Sequence, residues 1–349
     1  MRFDRKIIYF LKRSVHKLPW LYKVIYFLIT LNFNNLALIW KRKLYPSHFG
    51  GMWTDRSDFT TLLENHVSKK KIKPEEVEQL KIWREKGFII IEKAVSIQLI
   101  DQLLDEFNSL PHESPLGLRI TGGGELNSRL YKPELIQPHQ SIRIVDYYFF
   151  SETARSILFS PSIVRFLKIV FENDPVLTQS LSFEYGSEQE IHQDTAFVIM
   201  NSPLNFAASW IALEDVTEGS GELVYYPGSH LWGDFLFSKY FKHWDRERDG
   251  EEQLNLWYNW MHAEADRLGI KKEYFRPKKG DILLWHGGLA HGGAKIKNSK
   301  LTRKSLVGHY CPLGVRPLYH YYKPINRKIY KTKSNFFTSS HYLPAEFRS

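Results

Sequence analysis

Residues 280–293 read "GDILLWHGGLAHGG": an apolar run that ends at His286, a Gly-rich turn, and a second histidine, His291. Five further short apolar or alternating runs surround this stretch, each bounded by turn residues. They are "VLTQSLSFEYG" (176–186), "EIHQDTAFV" (190–198), "NFAASWIALEDV" (205–216), "GELVYYPGSH" (221–230) and "RKSLVGHYCP" (303–312). Short strands at this spacing predict a mainly β fold with a double-stranded β-helix, or jelly-roll, core.

Helices are predicted to flank this core, which makes the fold class α+β. "PEEVEQLKIWREKG" (74–87) has Pro at its start, two acids in its first turn and Gly87 at its end, as helices often do. The strand "FIIIEKAV" (88–95) and a second helix capped by Ser96 follow. Residues 151–172 are also predicted to be helical.

The composition divides the chain further. We predict a basic amphipathic N-terminal helical segment (1–50), a jelly-roll domain (51–312) with a helical, Trp-rich insertion (232–275), and a basic C-terminal tail (313–349). The Gly run 122–124 has no Lys-Ser/Thr after it, so it is a weak phosphate-loop signal, and residues 112–140 are predicted to be a mobile loop.

Charge is distributed unevenly along the chain. Residues 1–50 hold ten Lys and Arg against one acid, and residues 295–349 hold twelve against one, so the net charge of +10 leaves about −10 for the middle. Basic ends favour an anionic partner, such as a phospholipid surface or a phosphate-bearing substrate; improved solubility is the simpler alternative. Cys311 is the one cysteine in the sequence, which argues for a reducing compartment.

The N-terminal segment raises a membrane question. The run Val24–Trp40 holds no charge, but Asn32, Asn34 and Asn35 fall in its middle, so a spanning helix is disfavoured. Two alternatives remain open for this segment. Residues 1–45 contact an anionic membrane interface, or they pack on the globular domain. The predicted location is the cytoplasm, with attachment to the inner face of a membrane as an option. No recognised motif supports a nucleic-acid partner.

The chemistry is concentrated at His192 and Asp194. If a strand runs through "EIHQDTAFV", these two side chains point to the same face and Gln193 points away. One more histidine, His286 or His291, would complete two nitrogens and a carboxylate on one side of a metal, the arrangement of non-haem Fe(II) oxygenases. A keto-acid cosubstrate has a distal carboxylate that suits a buried guanidinium, and Arg303 is well placed to provide it.

These stretches resemble the phytanoyl-CoA dioxygenase family of Fe(II)/2-oxoglutarate oxygenases. The resemblance covers about 176–312, and more loosely from 74. It rests on "HQD", "ASWIALEDVTEGSGELVYYPGSH", "KGDILLWHGGLAHGG" and the arginine twelve residues after His291. By this resemblance the cofactor is Fe(II), the cosubstrates are 2-oxoglutarate and O₂, and the iron ligands are His192, Asp194 and His291.

The resemblance also assigns the cosubstrate pocket. Arg303 would bind the 2-oxoglutarate carboxylate and Trp210 would line the pocket. Many members carry a Lys on the strand before His-x-Asp, near Glu184 here, so Arg143 is the candidate replacement, with polar contacts from Gln179 or Ser182. His286 and Trp257 are candidate substrate contacts, although Trp257 fits the core of a helical insertion equally well.

We therefore expect a dioxygenase that hydroxylates an unactivated C–H of an anionic, lipid-linked or glycan-type small molecule and converts 2-oxoglutarate to succinate. The presence of Asp194 favours hydroxylation, because related halogenases replace this carboxylate with a small residue. The alternatives are an acyl-CoA hydroxylase of the same class and an inactive jelly-roll docking protein at a membrane surface.

Overall fold

The computed structural model describes residues 44–110, 117–122, 125–318, 328–332 and 335–342. The predicted amphipathic segment and its membrane contacts lie almost wholly outside the described residues, as does much of the chain beyond residue 318. The predicted domain boundaries stay predictions.

The first described helices and strand comprise one helix that the sequence analysis does not predict, followed by three elements that the start and stop signals in the sequence do predict. They are helices α1 (Phe59–Ser68) and α2 (Pro74–Lys86), strand β1 (Phe88–Ile91) and helix α3 (Ile97–Asn108). Helix α2 ends at Gly87, whose φ of 78° is a left-handed conformation that glycine adopts without strain. The Ser96 hydroxyl accepts the Leu99 backbone N–H, which satisfies one of the amides left open at the start of α3.

The other described elements follow in two groups. Before the metal-binding candidates come β2 (Arg119–Gly122), β3 (Glu125–Leu130), β4 (Arg143–Val145), α4 (Glu152–Leu158), α5 (Pro161–Phe171) and β5 (Pro175–Phe183). After them come β6 (Ala207–Ala212), β7 (Leu223–Tyr225), α6 (Arg246–Leu268), β8 (Glu273–Phe275), β9 (Ile282–His286), β10 (His291–Gly293), β11 (Ser305–Pro312), β12 (Tyr330–Thr332) and β13 (Asn335–Phe337).

Two sheets make up the core. In the larger sheet the described strands follow the order β1-β9-β6-β11-β5-β4-β2-β3, and in the smaller the order is β10-β7-β8. The pairing of β2 with β3 corrects the prediction of a loop over residues 112–140. Strand β13 pairs in parallel with β5, so part of the predicted C-terminal tail belongs to the larger sheet.

The larger sheet is covered on both faces, which explains its nearly continuous apolar strands. On β6, Ala207 and Ile211 pack in the cluster shared with the helices, whereas Ala208, Trp210 and Ala212 pack in the cluster shared with the smaller sheet. This alternation is the period-two pattern of a strand. The predicted double-stranded β-helix with flanking helices is confirmed.

The stretch 190–198 is not the strand that the sequence predicts. His192 makes one isolated bridge to His291, and Asp194–Ala196 then form a 3₁₀ turn. The backbone N–H groups of Ala196 and Phe197 donate to the carbonyls of Gln193 and Asp194, so this segment satisfies its hydrogen bonds locally. A one-residue bridge followed by a turn holds His192 and Asp194 close together without a strand.

The insertion packs beside the metal-binding candidates. Helix α6 is kinked at Gly250 (φ 67°), and its Trp257 and Met261 share a buried cluster with Ile191 and Ala290, the neighbours of His192 and His291. Among the described helices, none combines the length and the apolar character needed to cross a bilayer.

Candidate metal centre

Three buried side chains form a compact donor group between the two sheets. His192, Asp194 and His291 each offer one donor atom, and the three atoms lie within 4.8 Å of one another. The Nε2 atoms of both histidines are 3.7 Å from Asp194 Oδ1. The bridge between His192 and His291, with backbone bonds of 2.8 and 2.9 Å, sets the two rings side by side.

The hydrogen bonds around this group determine which atoms face its centre. Nδ1 of His192 lies 2.8 Å from the Glu190 carbonyl, and Nδ1 of His291 lies 3.0 Å from the Leu289 carbonyl. Because a carbonyl oxygen only accepts, each Nδ1 carries the proton and each Nε2 keeps a free lone pair. Asp194 Oδ2 accepts the Trp285 indole N–H at 2.9 Å, which leaves Oδ1 for the centre.

The electrostatics favour the protonation states of metal ligands. Burial, reinforced by the neighbouring His291, lowers the pKa of His192 to about 4. Burial alone would raise the pKa of Asp194, but His291, His309 and His192 and the Trp285 N–H together hold it below its usual range. A neutral imidazole and an ionised carboxylate are therefore ready at neutral pH, and two nitrogens with one oxygen match the ligand set of non-haem iron sites.

His286 lies on the opposite side of β9. Its Nε2 is 3.2 Å from Asp55 Oδ2, its ring is 1% exposed, and it meets the edge of the Trp83 ring at 6.0 Å. Successive strand residues face opposite sides, so Trp285 points to the donor group and His286 away from it. His286 thus lies outside the donor group, which argues against the alternative of His286 as a third ligand, and its role as a substrate contact stays a prediction.

Arg303 is buried with part of its hydrogen-bonding capacity unused. It is 2% exposed, precedes β11, and donates from Nη1 to the Gly221 carbonyl at 3.0 Å. Its Nε has no hydrogen-bond partner among the described residues, and its guanidinium carbon lies 5.5 Å from the rings of both Trp210 and Phe183. Burial lowers the pKa of this guanidinium to about 10. A buried, incompletely paired cation suits an anionic ligand.

Arg143 on β4 resembles Arg303 in its surroundings. Its guanidinium carbon lies 5.9 Å from the Phe183 ring, burial lowers its pKa to about 10, and its Nε is unpaired within the described part of the chain. Its positive charge also contributes to the lowered pKa of His192 and His309. The structure thus brings the two arginines to one aromatic ring, Phe183.

Gln179 is engaged with a residue that the sequence analysis missed. Its Oε1 lies 2.9 Å from Nδ1 of His309, which is buried on β11 and lowers the pKa of Asp194 through its charge. Alternation along β11 could have revealed His309, because residues 303, 305, 307 and 309 share the phase of Arg303.

The predicted substrate contact Trp257 is buried, but it supports an exposed ring. Phe197 is 41% exposed, and its ring centroid lies 5.8 Å from His192 and 5.7 Å from Trp257. Trp244 meets Phe197 from the insertion at 6.3 Å. We call Phe197 with these two tryptophans the aromatic shelf. Nothing in the sequence distinguishes Phe197 from a core phenylalanine.

Comparison with known proteins identifies the chain's relatives. Residues 83–305, more than half of the chain, match the profile of the family described as Phytanoyl-CoA dioxygenase (PhyH). The chain belongs to the phytanoyl-CoA dioxygenase family. Peroxisomal phytanoyl-CoA dioxygenase of Bos taurus is 23% identical over 245 residues, which are 67% of this chain and 68% of that protein. The phytanoyl-CoA dioxygenase domain-containing protein 1 homolog of Dictyostelium discoideum is 32% identical over 106 residues, 30% of this chain and 34% of that protein.

Solved structures show the same fold at low identity. The non-heme alpha ketoglutarate dependent carbocyclase SnoK of nogalamycin biosynthesis aligns with a TM-score of 0.50 and 17% identity over 71% of this chain and 87% of its own. EctD from S. alaskensis with bound Fe has a TM-score of 0.50 and 17% identity over 70% of this chain and 79% of its own.

Membership of the phytanoyl-CoA dioxygenase family makes this chain a dioxygenase of the iron- and 2-oxoglutarate-dependent class, with O₂ as a cosubstrate. The His–Asp–His donor group fits an iron site by its donor types, spacing and protonation.

Proposed function

We propose that His192, Asp194 and His291 hold the iron and that the enzyme hydroxylates a small molecule. The observation that carries this proposal is the donor group itself, in which three buried donor atoms lie within 4.8 Å of one another. Both Nδ1 atoms are committed to backbone carbonyls, so only Nε2 is free to bind a metal. Three protein ligands leave three positions of an octahedral iron open for 2-oxoglutarate and O₂.

Arg303 binds the distal carboxylate of 2-oxoglutarate in this proposal. The support is its buried guanidinium, whose Nε lacks a partner among the described residues, beside the flat ring of Trp210. Arg143 contributes a second cation beside the Phe183 ring. Gln179 acts through His309, whose ring orientation its Oε1 fixes.

The bound iron, with 2-oxoglutarate and O₂, supplies the oxidation of an unactivated C–H bond, and 2-oxoglutarate is converted to succinate and CO₂. The residues of this chain bind and orient these groups. Trp285 holds the Asp194 carboxylate in place, and the two sheets exclude water from the donor group. Asp194 fills the place that a halide takes in related halogenases, which supports hydroxylation.

The substrate we propose is an anionic small molecule with a ring or an apolar face. The evidence for a ring or an apolar face is the aromatic shelf, because Phe197 is exposed beside the proposed ligand His192 and packs against two tryptophan rings. The basic chain ends support the anionic part and a lipid-linked or glycan-type substrate near an anionic membrane surface. An acyl-CoA is the alternative, supported by the names of the curated relatives.

Succinate formation tests this proposal. Purified full-length chain would be incubated with Fe(II), 2-oxoglutarate and O₂, alone and with lipid-linked sugars, phosphorylated sugars or acyl-CoAs. We expect one anionic class to raise succinate formation above the background of the enzyme alone, and Phe197→Ala to lower that rise while leaving the background. A rise with acyl-CoAs alone would favour the acyl-CoA hydroxylase. If no succinate formed under any condition, the proposed 2-oxoglutarate-dependent activity would be refuted.

A further inference from the structure

The loop 287–290, which connects β9 to β10, contacts the backbone and side chains next to His192 and Asp194 and leads into His291. The Gly288 carbonyl accepts Nε2–H of Gln193 at 2.7 Å, and the Gly287 carbonyl accepts the Thr195 backbone N–H at 3.4 Å. Gln193 lies between His192 and Asp194 in sequence, and Thr195 follows Asp194. The same loop leads directly into His291. The position of this loop therefore sets the distance between His291 and the pair His192 and Asp194.

The side chain of His286 contacts this loop on the side that faces away from the donor group. The Gly288 N–H donates to Nδ1 of His286 at 2.9 Å, so Nδ1 carries no proton. The proton of the neutral ring is then on Nε2, which donates to Asp55 Oδ2 at 3.2 Å. A Cβ at Gly288 would lie 3.1 Å from His286 Nδ1, so the loop and the ring are in close contact.

Asp55 is itself fixed and buried. Its Oδ2 accepts the Met52 N–H at 2.7 Å, and Arg84 Nη1 donates to its backbone carbonyl at 2.8 Å. Burial would raise the pKa of Asp55, but its close interaction with His286, together with His230 and the Met52 N–H, holds this pKa below its usual range. Asp55 precedes residues 83–305, the part of the chain that matches the family.

We propose that Asp55 and His286 form a positioning pair, here called the brace, that fixes the loop 287–290 and so the spacing of the three iron ligands. The proposal rests on the ligand set under Proposed function. The brace touches neither metal nor substrate. It transmits its effect through Gly288 and Gln193, and it makes a segment outside the family-matching region part of the enzyme's active-site support.

Metal binding tests the brace without any need for the substrate. Full-length apoprotein would be titrated with Co(II), and both the dissociation constant and the visible Co(II) spectrum would be recorded. Groups that support metal ligands typically change metal affinity by about 10- to 100-fold. The brace contacts the loop and not the proposed ligands themselves. We therefore expect Asp55→Ala and His286→Phe to weaken Co(II) binding on the order of tenfold and to alter the spectrum.

Two further variants separate positioning from stability. Asp55→Asn keeps an oxygen that accepts the His286 N–H, so we expect it to stay within about threefold of wild type. Trp53→Phe is the matched control. Trp53 and Asp55 belong to one 3₁₀ turn, Trp53–Asp55, and the substitution removes the indole N–H that donates to the Ile169 carbonyl at 2.9 Å while leaving the brace intact. It should lower the thermal midpoint and leave Co(II) affinity and spectrum unchanged.

The outcomes distinguish the brace from the ligand set. If Asp55→Ala and His286→Phe lower only the thermal midpoint, as Trp53→Phe does, the brace is a stability element and the proposal is overturned. If Co(II) binds wild type but not His192→Ala, and the brace variants bind like wild type, the ligand set holds and the brace fails. If wild type does not bind Co(II), both proposals are overturned.

Discussion

His286 and His291 stand five residues apart in one stretch and both are buried, yet their surroundings differ completely. His286 uses both ring nitrogens within the protein, one toward Gly288 and one toward Asp55. His291 uses Nδ1 alone and directs Nε2 toward Asp194 and His192. A buried imidazole becomes a ligand candidate only where its partners leave one nitrogen free.

The same difference separates the two sides of β9. On one side the Nε of Arg303 has no hydrogen-bond partner among the described residues, and the Nε2 atoms of His192 and His291 face the centre of the donor group, which suits ions that the enzyme takes up. On the other side the polar atoms of Asp55 and His286 are paired within the chain. We therefore propose that the first side binds the cofactors and that the Asp55–His286 pair on the second side serves position and stability.

Replacing each histidine in turn tests this comparison with the largest effect. His291→Ala removes a proposed ligand, so we expect Fe(II) affinity to fall by more than the roughly 100-fold upper range of supporting residues. His286→Ala leaves Asp55 buried without its partner, so we expect the free energy of unfolding to fall by about 3 kcal/mol. Anaerobic Fe(II) titration and denaturant unfolding measure the two effects. Equal loss of iron in both variants would break the comparison.

The pH dependence of the free energy of unfolding tests the residues on the His286 side of β9. His230 packs 5.2 Å from His286, and burial lowers its pKa to about 3. Between about pH 6.5 and that value the unfolded chain binds a proton that the folded chain does not, so stability falls as pH falls. At about 1.4 kcal/mol for each unit, His230 alone accounts for up to roughly 3 kcal/mol of loss by pH 4.

His230→Phe removes this contribution. Both ring nitrogens of His230 lack partners among the described residues, so an apolar ring of similar shape fits the site. Urea unfolding of the apoprotein at pH 7 and pH 4 should show a smaller difference for the variant than for wild type. An unchanged difference would show that His230 titrates normally.

Arg303 tests the binding side with a smaller effect. Arg303→Met removes the cation beside Trp210, so we expect 2-oxoglutarate to bind more weakly by about 2 kcal/mol, or roughly 30-fold. The free energy of unfolding should stay the same or rise, because an incompletely paired buried charge is lost. Calorimetric titration and denaturant unfolding measure these quantities. A strongly destabilised variant with normal 2-oxoglutarate affinity would make Arg303 a structural residue.

Trp285→Phe gives the smallest expected change. It removes the N–H that donates to Asp194 Oδ2. It keeps an aromatic ring at the position where the Trp285 ring packs against His291, with ring centroids 4.9 Å apart. Loss of such a supporting bond should weaken Fe(II) affinity by about tenfold, with thermal stability nearly unchanged. Anaerobic titration against wild type provides the measurement, and an unaltered affinity would show that Asp194 is oriented by other groups.

Much of the fold could be predicted from the sequence, since strand periodicity and turn residues are local signals. The strands around 176–186, 205–216, 280–293 and 303–312 and the capped helices α2 and α3 are observed where they were predicted. The stretch 190–198 was predicted wrongly because a two-residue alternation occurs equally in a bridge followed by a turn. The strand at 335–337 was missed because its partner, β5, lies far away in the chain.

The site was predictable to the extent that its residues lie in recognisable stretches. His192, Asp194, His291 and Arg303 stand in such stretches, and the structure brings the first three together. Asp55 and His286 are 231 residues apart, so no local pattern links them. The residues alone left the choice between His286 and His291 open, and the resemblance assigned the ligand role to His291. In the structure His291 joins the donor group, whereas His286 lies on the other side of β9.

The most direct test of the central claim is an anaerobic titration of the apoprotein with Fe(II) and 2-oxoglutarate, followed through the weak visible charge-transfer band of the chelate. The wild-type chain should develop the band, and His192→Ala, Asp194→Ala and His291→Ala should each weaken or abolish it, whereas Trp53→Phe should not. A wild-type chain that retains no iron and shows no band would contradict the assignment of the donor group as an iron site.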